Sequence, residues 1–203
     1  MKKKEFKSSS KRVLDLMINS IYTNKEIFLR ELLSNASDAI DKLVFTSLTD
    51  SSVSVNRDDL KIVIERDKDA RILKISDNGI GMDEAELEHN LGTIAESGSL
   101  KFKEENKDQK DTSIIGQFGV GFYSAFMVAK KIEVISKKYN ADKAYKWTSE
   151  GADGYTIQTC DKEDVGTTII LYLKDDTDED QVSPEIQEQK PIFSLTMVQS
   201  PEE

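Results

Sequence analysis

Cysteine and histidine are almost missing from this chain: each occurs once in 203 residues, as Cys160 and His89. A single cysteine excludes an internal disulfide and every cysteine-cluster metal site, and a single histidine excludes a multi-histidine metal centre. Basic residues are in deficit, and the formal net charge of −10 argues against a nucleic-acid partner held through phosphate contacts. No apolar run approaches the ~20 residues of a membrane span, and Met1-Lys2-Lys3-Lys4 leads into no apolar segment of signal-peptide type. A soluble, cytoplasmic protein with neither a nucleic-acid nor a membrane partner is expected. Proline is scarce too: Pro184, Pro191 and Pro201 all fall in the last 20 residues. The chain as a whole is 37% hydrophobic, enough for one sizeable core.

Residues 1–10 are polar and basic and read as a flexible segment. From Lys11 to Tyr22, Val13, Leu14, Met17, Ile18 and Ile21 share one helix face. Thr23-Asn24 breaks the pattern and offers an N-cap. A long helix is predicted from about Lys25 to about Phe45. At ~100° per residue, Leu29, Leu32, Leu33, Ala36, Ala39, Ile40 and Leu43 fall on one side. Glu31, Asn35, Asp38 and Lys42 form a narrow stripe on the other. Any amphipathic helix meets water with such a stripe. Yet Ser34, Asn35, Ser37 and Asp38 crowd the middle of the helix, at up to ~0.7 kcal/mol each relative to alanine. Stability alone gives no reason for them.

Thr46 to Asp59 reads as a loop. Strands are predicted at Leu60–Glu65 and Ile72–Ser76, antiparallel because so few residues join them. The second runs into Asp77-Asn78-Gly79-Ile80-Gly81-Met82. That places a carboxylate at a strand end, with two glycines that let the backbone turn away closely beneath whatever Asp77 holds; it is also ordinary turn chemistry. A short acidic helix comes next, Asp83 to Leu91. Gly92 to Ser113 is long and polar, the character of a lid or binding loop. Gly116-Gln117-Phe118-Gly119-Val120-Gly121-Phe122 then passes into a helix pattern, Ser124 to Ala129. Glycines before a helix bare backbone amides that attract phosphate, although the spacing is neither a P-loop nor a dinucleotide fingerprint.

Four more strands are predicted, at Lys131–Ser136, Lys143–Thr148, Tyr155–Cys160 and Thr167–Lys174. Trp147 and Cys160 are expected in the core, and His89 on the surface. The sum is an α+β two-layer sandwich, a mostly antiparallel mixed sheet covered by helices on one face. The domain should span residues 11–176, with the lid at about 92–115. Residues 177–203, acidic and then proline-containing, read as linker or disordered tail.

The order and spacing of these elements resemble the Bergerat-type ATP-binding fold. Gyrase-type topoisomerases, mismatch-repair MutL, sensor histidine kinases and the ninety-kilodalton heat-shock chaperones share it. The wording is closest to the chaperones, nearest their bacterial branch. Asn24 to Ala39 (NKEIFLRELLSNASDA) resembles their first box, Leu91-Gly92-Thr93-Ile94-Ala95 their lid start, and Ile115 to Ser124 (IGQFGVGFYS) their phosphate loop. The likeness runs from about Val13 to Asp176.

It implies an N-terminal domain that binds ATP or ADP with Mg²⁺ in a stress-response protein-folding chaperone. That chaperone would be a homodimer at full length, acting on unfolded or partly folded clients. Asp77 would accept a hydrogen bond from the adenine amino group, with Thr167 in support. Ile80, Gly81 and Met82 would pack beside the base, and Leu32 and Ala39 would line the floor, near Asp38 and Lys42. Asn35 would ligate Mg²⁺, and Glu31 would be the catalytic base. Asn90, Ser97 and Gly98 would approach ribose or phosphate, and Gly116, Gln117, Phe118, Gly119, Val120, Gly121 and Phe122 would wrap the phosphates.

Three departures qualify the likeness. Glu96 stands where the family usually has lysine, so either the lid points it outward or nucleotide binds more weakly. The tail after Asp180 does not continue as the family's does. The following domain, which lends an arginine to the γ-phosphate, is not in the chain, so slow hydrolysis is expected. Two alternatives stay open: a regulatory module that binds nucleotide without hydrolysis, and a histidine-kinase catalytic domain, for which the chain offers no phosphoacceptor other than His89.

Overall fold

The computed structural model describes residues 3–6, 26–50, 53–92, 121–175 and, as backbone, 194–199. The expected helix over 11–22, the lid beyond Gly92 with Glu96, Ser97 and Gly98, and the phosphate loop from Gly116 to Val120 lie outside these residues.

Among the described residues, two α-helices, α1 (Ile27–Thr49) and α2 (Glu84–Gly92), accompany seven strands. These are β1 (Lys61–Asp67), β2 (Ile72–Asp77), β3 (Ala129–Lys137), β4 (Ala144–Ser149), β5 (Tyr155–Cys160), β6 (Gly166–Leu173) and β7 (Ser194–Gln199). They form one sheet in the order β5-β4-β3-β6-β2-β1-β7. Every pairing is antiparallel except β1 with β7, which is parallel. All six strands predicted from alternation are present.

Strand alternation builds the core in rows. Ile64, Ile75, Ile169, Val134, Trp147 and Ile157 stand opposite one another across six strands. Each inner-face position is two residues from the next. One step along the same face, the row reads Ile62, Asp77, Thr167, Ser136, Tyr145 and Thr159. The sheet therefore changes from apolar to polar over a single β period, and that border faces α1. Leu32, Ala36, Ile40 and Leu43 of α1 are buried, where they pack on the apolar rows. Trp147 is fully buried, stacking on Tyr155 and meeting Phe122 edge-on. Cys160, expected in the core, is only half-buried.

Three expectations change. Helix α1 runs one turn past Phe45, and there Thr46, Ser47 and Thr49 return their hydroxyls to carbonyls three or four residues back. The helix expected at Ser124–Ala129 is a 3₁₀ segment, Gly121–Met127, with β3 starting at Ala129. Every residue from Gly121 to Ala129 is buried, so this segment has no amphipathic face to extend. The tail read as linker or disordered contributes β7, whose Leu195-Thr196-Met197-Val198 suits a strand.

At the other sheet edge, Lys4 pairs with Tyr155 through two backbone hydrogen bonds of 2.8 and 2.9 Å. Phe6 is buried against Tyr123 and Tyr155. Lys4 also reaches Glu88 on α2 at 2.7 Å.

Candidate functional site

Where α1 crosses the polar end of the sheet, a cavity of about 350 Å³ opens. From α1 it is lined by Glu31, Asn35, Ala36, Asp38, Ala39 and Lys42. Asp77, Ile80, Gly81 and Met82 line it from the end of β2 and the turn beyond, Asn90 from α2, and Gly121 and Phe122 from the 3₁₀ segment. Thr167 closes it from β6. Of the expected site residues that lie within the described residues, all but Leu32 meet here. Leu32 is fully buried, and Ala36, one turn on, takes its place in the lining.

The turn after β2 is fastened on both sides. Asn78 receives the Lys61 amide at 2.8 Å and donates to the Asp59 carbonyl at 2.7 Å, which ties the turn to the start of β1. Ile80 donates its amide to the Ala39 carbonyl on α1 at 3.0 Å, and Tyr139 donates to the Ile80 carbonyl at 2.8 Å. Gly79 permits this approach. A Cβ there would come within 2.5–2.7 Å of the Ala39 and Ile40 backbone, and neither side can yield. Gly79→Ala should therefore destabilise the fold by roughly 1–3 kcal/mol and part the turn from α1. Thermal melting would measure the loss, and an unchanged midpoint would show that the helix can retreat.

Asp77 is half-buried, and its carboxylate accepts the Gly79 amide at 2.9 Å. Burial pushes its pKa from an ordinary 3.8 up to about 6, against the opposing pull of the Gly79 and Thr167 amides and of Lys162. A carboxylate kept this dry is costly to a fold and well suited to receive a ligand's N–H.

Helix α2 is held at its start by a reciprocal cap. The Asp83 amide donates to Glu86, and the Glu86 amide to Asp83, both at 2.9 Å. Lys138, just past β3, bridges both carboxylates at 2.9 and 2.8 Å. This clamp fixes the helix that brings Asn90 and Leu91 to the cavity. His89 on α2 is exposed.

Glu31 is 13% exposed, with Arg30 Nη2 at 3.5 Å. Its Oε2 lies against the Cα of Gly121, where a Cβ would come within 2.5 Å. The 3₁₀ segment and α1 thus meet at this carboxylate. Asn35 is exposed one turn further along the same helix.

Sequence reasoning passed over Ser136 and Glu86. Ser136 is fully buried at the back of the site, accepts the Met82 amide at 2.8 Å and lies 2.9 Å from the Thr167 hydroxyl. A serine inside a strand belongs to no motif, and only the strand register brings it here. Glu86 lines the cavity and caps α2; its spacing from Asp83 is the one available signal.

Comparison with known proteins agrees with this geometry. Residues 13–169 match the family described as "Histidine kinase-, DNA gyrase B-, and HSP90-like ATPase". The Chaperone protein HtpG of Clostridium perfringens (strain 13 / Type A) is 60% identical over 195 residues, 96% of this chain and 31% of that protein. Those of Bacillus subtilis (strain 168) and Clostridium botulinum (strain Langeland / NCTC 10281 / Type F) are 59% and 58% identical over 188 residues, 93% of this chain and 30% of each relative. The chain thus spans under a third of the length of these curated relatives. That family match covers more than half of the chain, and the chain belongs to the histidine kinase-, DNA gyrase B- and HSP90-like ATPase family.

Proposed function

We propose that the cavity binds ATP, adenine end at Asp77 and phosphates toward Gly121, and that the chain is the nucleotide-binding part of a molecular chaperone. What supports this reading above all is that Asp77, far in sequence from Glu31 and Asn35 on α1, lines one cavity with them. Asp77 supplies the acceptor for the adenine amino group, with the Thr167 amide beside its carboxylate. Ile80 and Met82 supply apolar walls for the base.

Among the described residues no group of three or more His, Cys, Asp or Glu side chains could hold a metal ion by itself. Mg²⁺ suits the site in another way, through one protein oxygen together with waters and substrate phosphates. Asn35 is the residue that would hold it, and the ion would neutralise phosphate charge. Glu31, one helical turn away, orients and deprotonates the attacking water.

On this reading the whole protein acts in the cytoplasm as a homodimer, on unfolded or partly folded clients. No described helix is long and apolar enough to cross a membrane. Titration calorimetry with ATP and ADP, with and without Mg²⁺, should give one site per chain and tighter ATP binding when the ion is present. No heat and no thermal shift at millimolar nucleotide would overturn the reading.

A further inference from the structure

We propose that Tyr123 is a positioning residue for the nucleotide: by donating its hydroxyl to the Leu91 carbonyl it holds the end of α2, and with it Asn90, in the wall of the cavity. This rests on the ATP reading of the site. Helix α2 has nine residues, too few to stand on propensity alone. Its start is fastened by the Asp83–Glu86 cap and Lys138. Its far end carries carbonyls with no partner inside the helix, and Leu91 bears one of them. The Tyr123 hydroxyl meets that oxygen at 2.6 Å. A carbonyl can only accept, so the direction of this bond is fixed.

Both partners are out of water: Tyr123 is 1% exposed and Leu91 6%. Burial raises the phenol's pKa well above its ordinary value, so the hydroxyl keeps its hydrogen across the working pH range. The ring is seated independently of the bond, edge-on against Phe6 and Phe122. Gly92 completes the fit. Its Cα backs onto the Tyr155 hydroxyl, where a Cβ would collide.

The bond joins two walls of the site. Tyr123 follows Gly121 and Phe122, Leu91 follows Asn90, and these four neighbours line the cavity. The Asn90 side chain stands 3.6 Å from the Met82 sulfur. Without the phenol hydroxyl, a buried carbonyl would have no donor, a state that folds avoid. The last turn of α2 should then move toward solvent and take Asn90 with it. The Asp77 end should stay, since Asn78, Gly79 and Ile80 hold it through bonds of their own.

The test is calorimetric titration of the intact chain with ATP for wild type, Tyr123→Phe, Asn90→Ala and Tyr123→Phe/Asn90→Ala. Hydrogen exchange of the α2 amides is followed in the same proteins without nucleotide. Phenylalanine keeps the ring contacts and removes only the donor. Exchange in the last turn of α2 should quicken by roughly tenfold in Tyr123→Phe. ATP should bind that variant roughly tenfold more weakly, about one hydrogen bond. In the Asn90→Ala background the same change should cost no more than about twofold, because Tyr123 acts through Asn90. Should Tyr123→Phe fail to fold, Gly92→Ala, which pushes the same helix end away from Tyr155, should lose ATP affinity with the same dependence on Asn90.

An equal loss in both backgrounds would mean a merely structural tyrosine and would overturn the proposal. So would unchanged α2 exchange in Tyr123→Phe, or unchanged ATP affinity in that variant while wild type binds. Wild type that binds no ATP would overturn the ATP reading, and the proposal with it.

Discussion

Asp77→Asn should cost the chain roughly 10- to 150-fold in ATP affinity, the worth of one charge-assisted hydrogen bond, while making the empty protein more stable. The two effects share a cause. The carboxyl titrates at about 6 in the fold and at 3.8 when exposed. Between those values the folded state holds the proton more tightly than the unfolded one, so stability falls as pH rises through the window. Above it, the buried charge is a standing cost. Asparagine removes that charge yet can still accept the Gly79 amide, so a gain of about 1–2 kcal/mol at neutral pH is expected.

The same titration governs binding. An adenine amino group needs the ionised acceptor, so wild-type affinity should fall by about tenfold between pH 7.5 and pH 5. Thermal melting and calorimetry on one pair of samples would read both. An asparagine variant less stable than its parent at neutral pH would show that the carboxylate is not held at a cost.

Glu31→Gln should lower ATP hydrolysis by ~10²–10⁴-fold, the usual contribution of a general base, with nucleotide affinity almost unchanged. Glutamine keeps the shape that fits against Gly121 and gives up only the capacity to take a proton. Phosphate release at saturating ATP, with binding followed separately, would distinguish the two effects. Hydrolysis at the parent rate would remove Glu31 from the chemistry and favour a nucleotide-binding module that does not hydrolyse.

Much of this was legible because alternation and motif are local signals. Ile72, Leu73 and Ile75 announce a strand, and Asp77-Asn78-Gly79 announces the turn that ends it. The crowding of Asn35 and Asp38 in mid-helix marks α1 as carrying more than a core face. Ser136 was not legible. Its significance lies in standing opposite Thr167 and Tyr145, and register is a property of pairs of strands rather than of either one. Ser124 to Met127, within the helix expected at Ser124–Ala129, misled for a related reason. An apolar run carries no phase when it is buried on all sides, so its residues suited a helix as well as the 3₁₀ segment they form.

The placement of Asp77 two residues beyond Ile75 carries a lesson for tolerated change. Hydrophobic layer and proposed purine acceptor are read from one strand in one phase. Deleting a single residue between Leu73 and Asp77 would set them on opposite sides of the sheet, so either the interior or the pocket would have to be given up. Recognition can be retuned here by swapping side chains along the polar row, but never by altering the length of the strand that bears them.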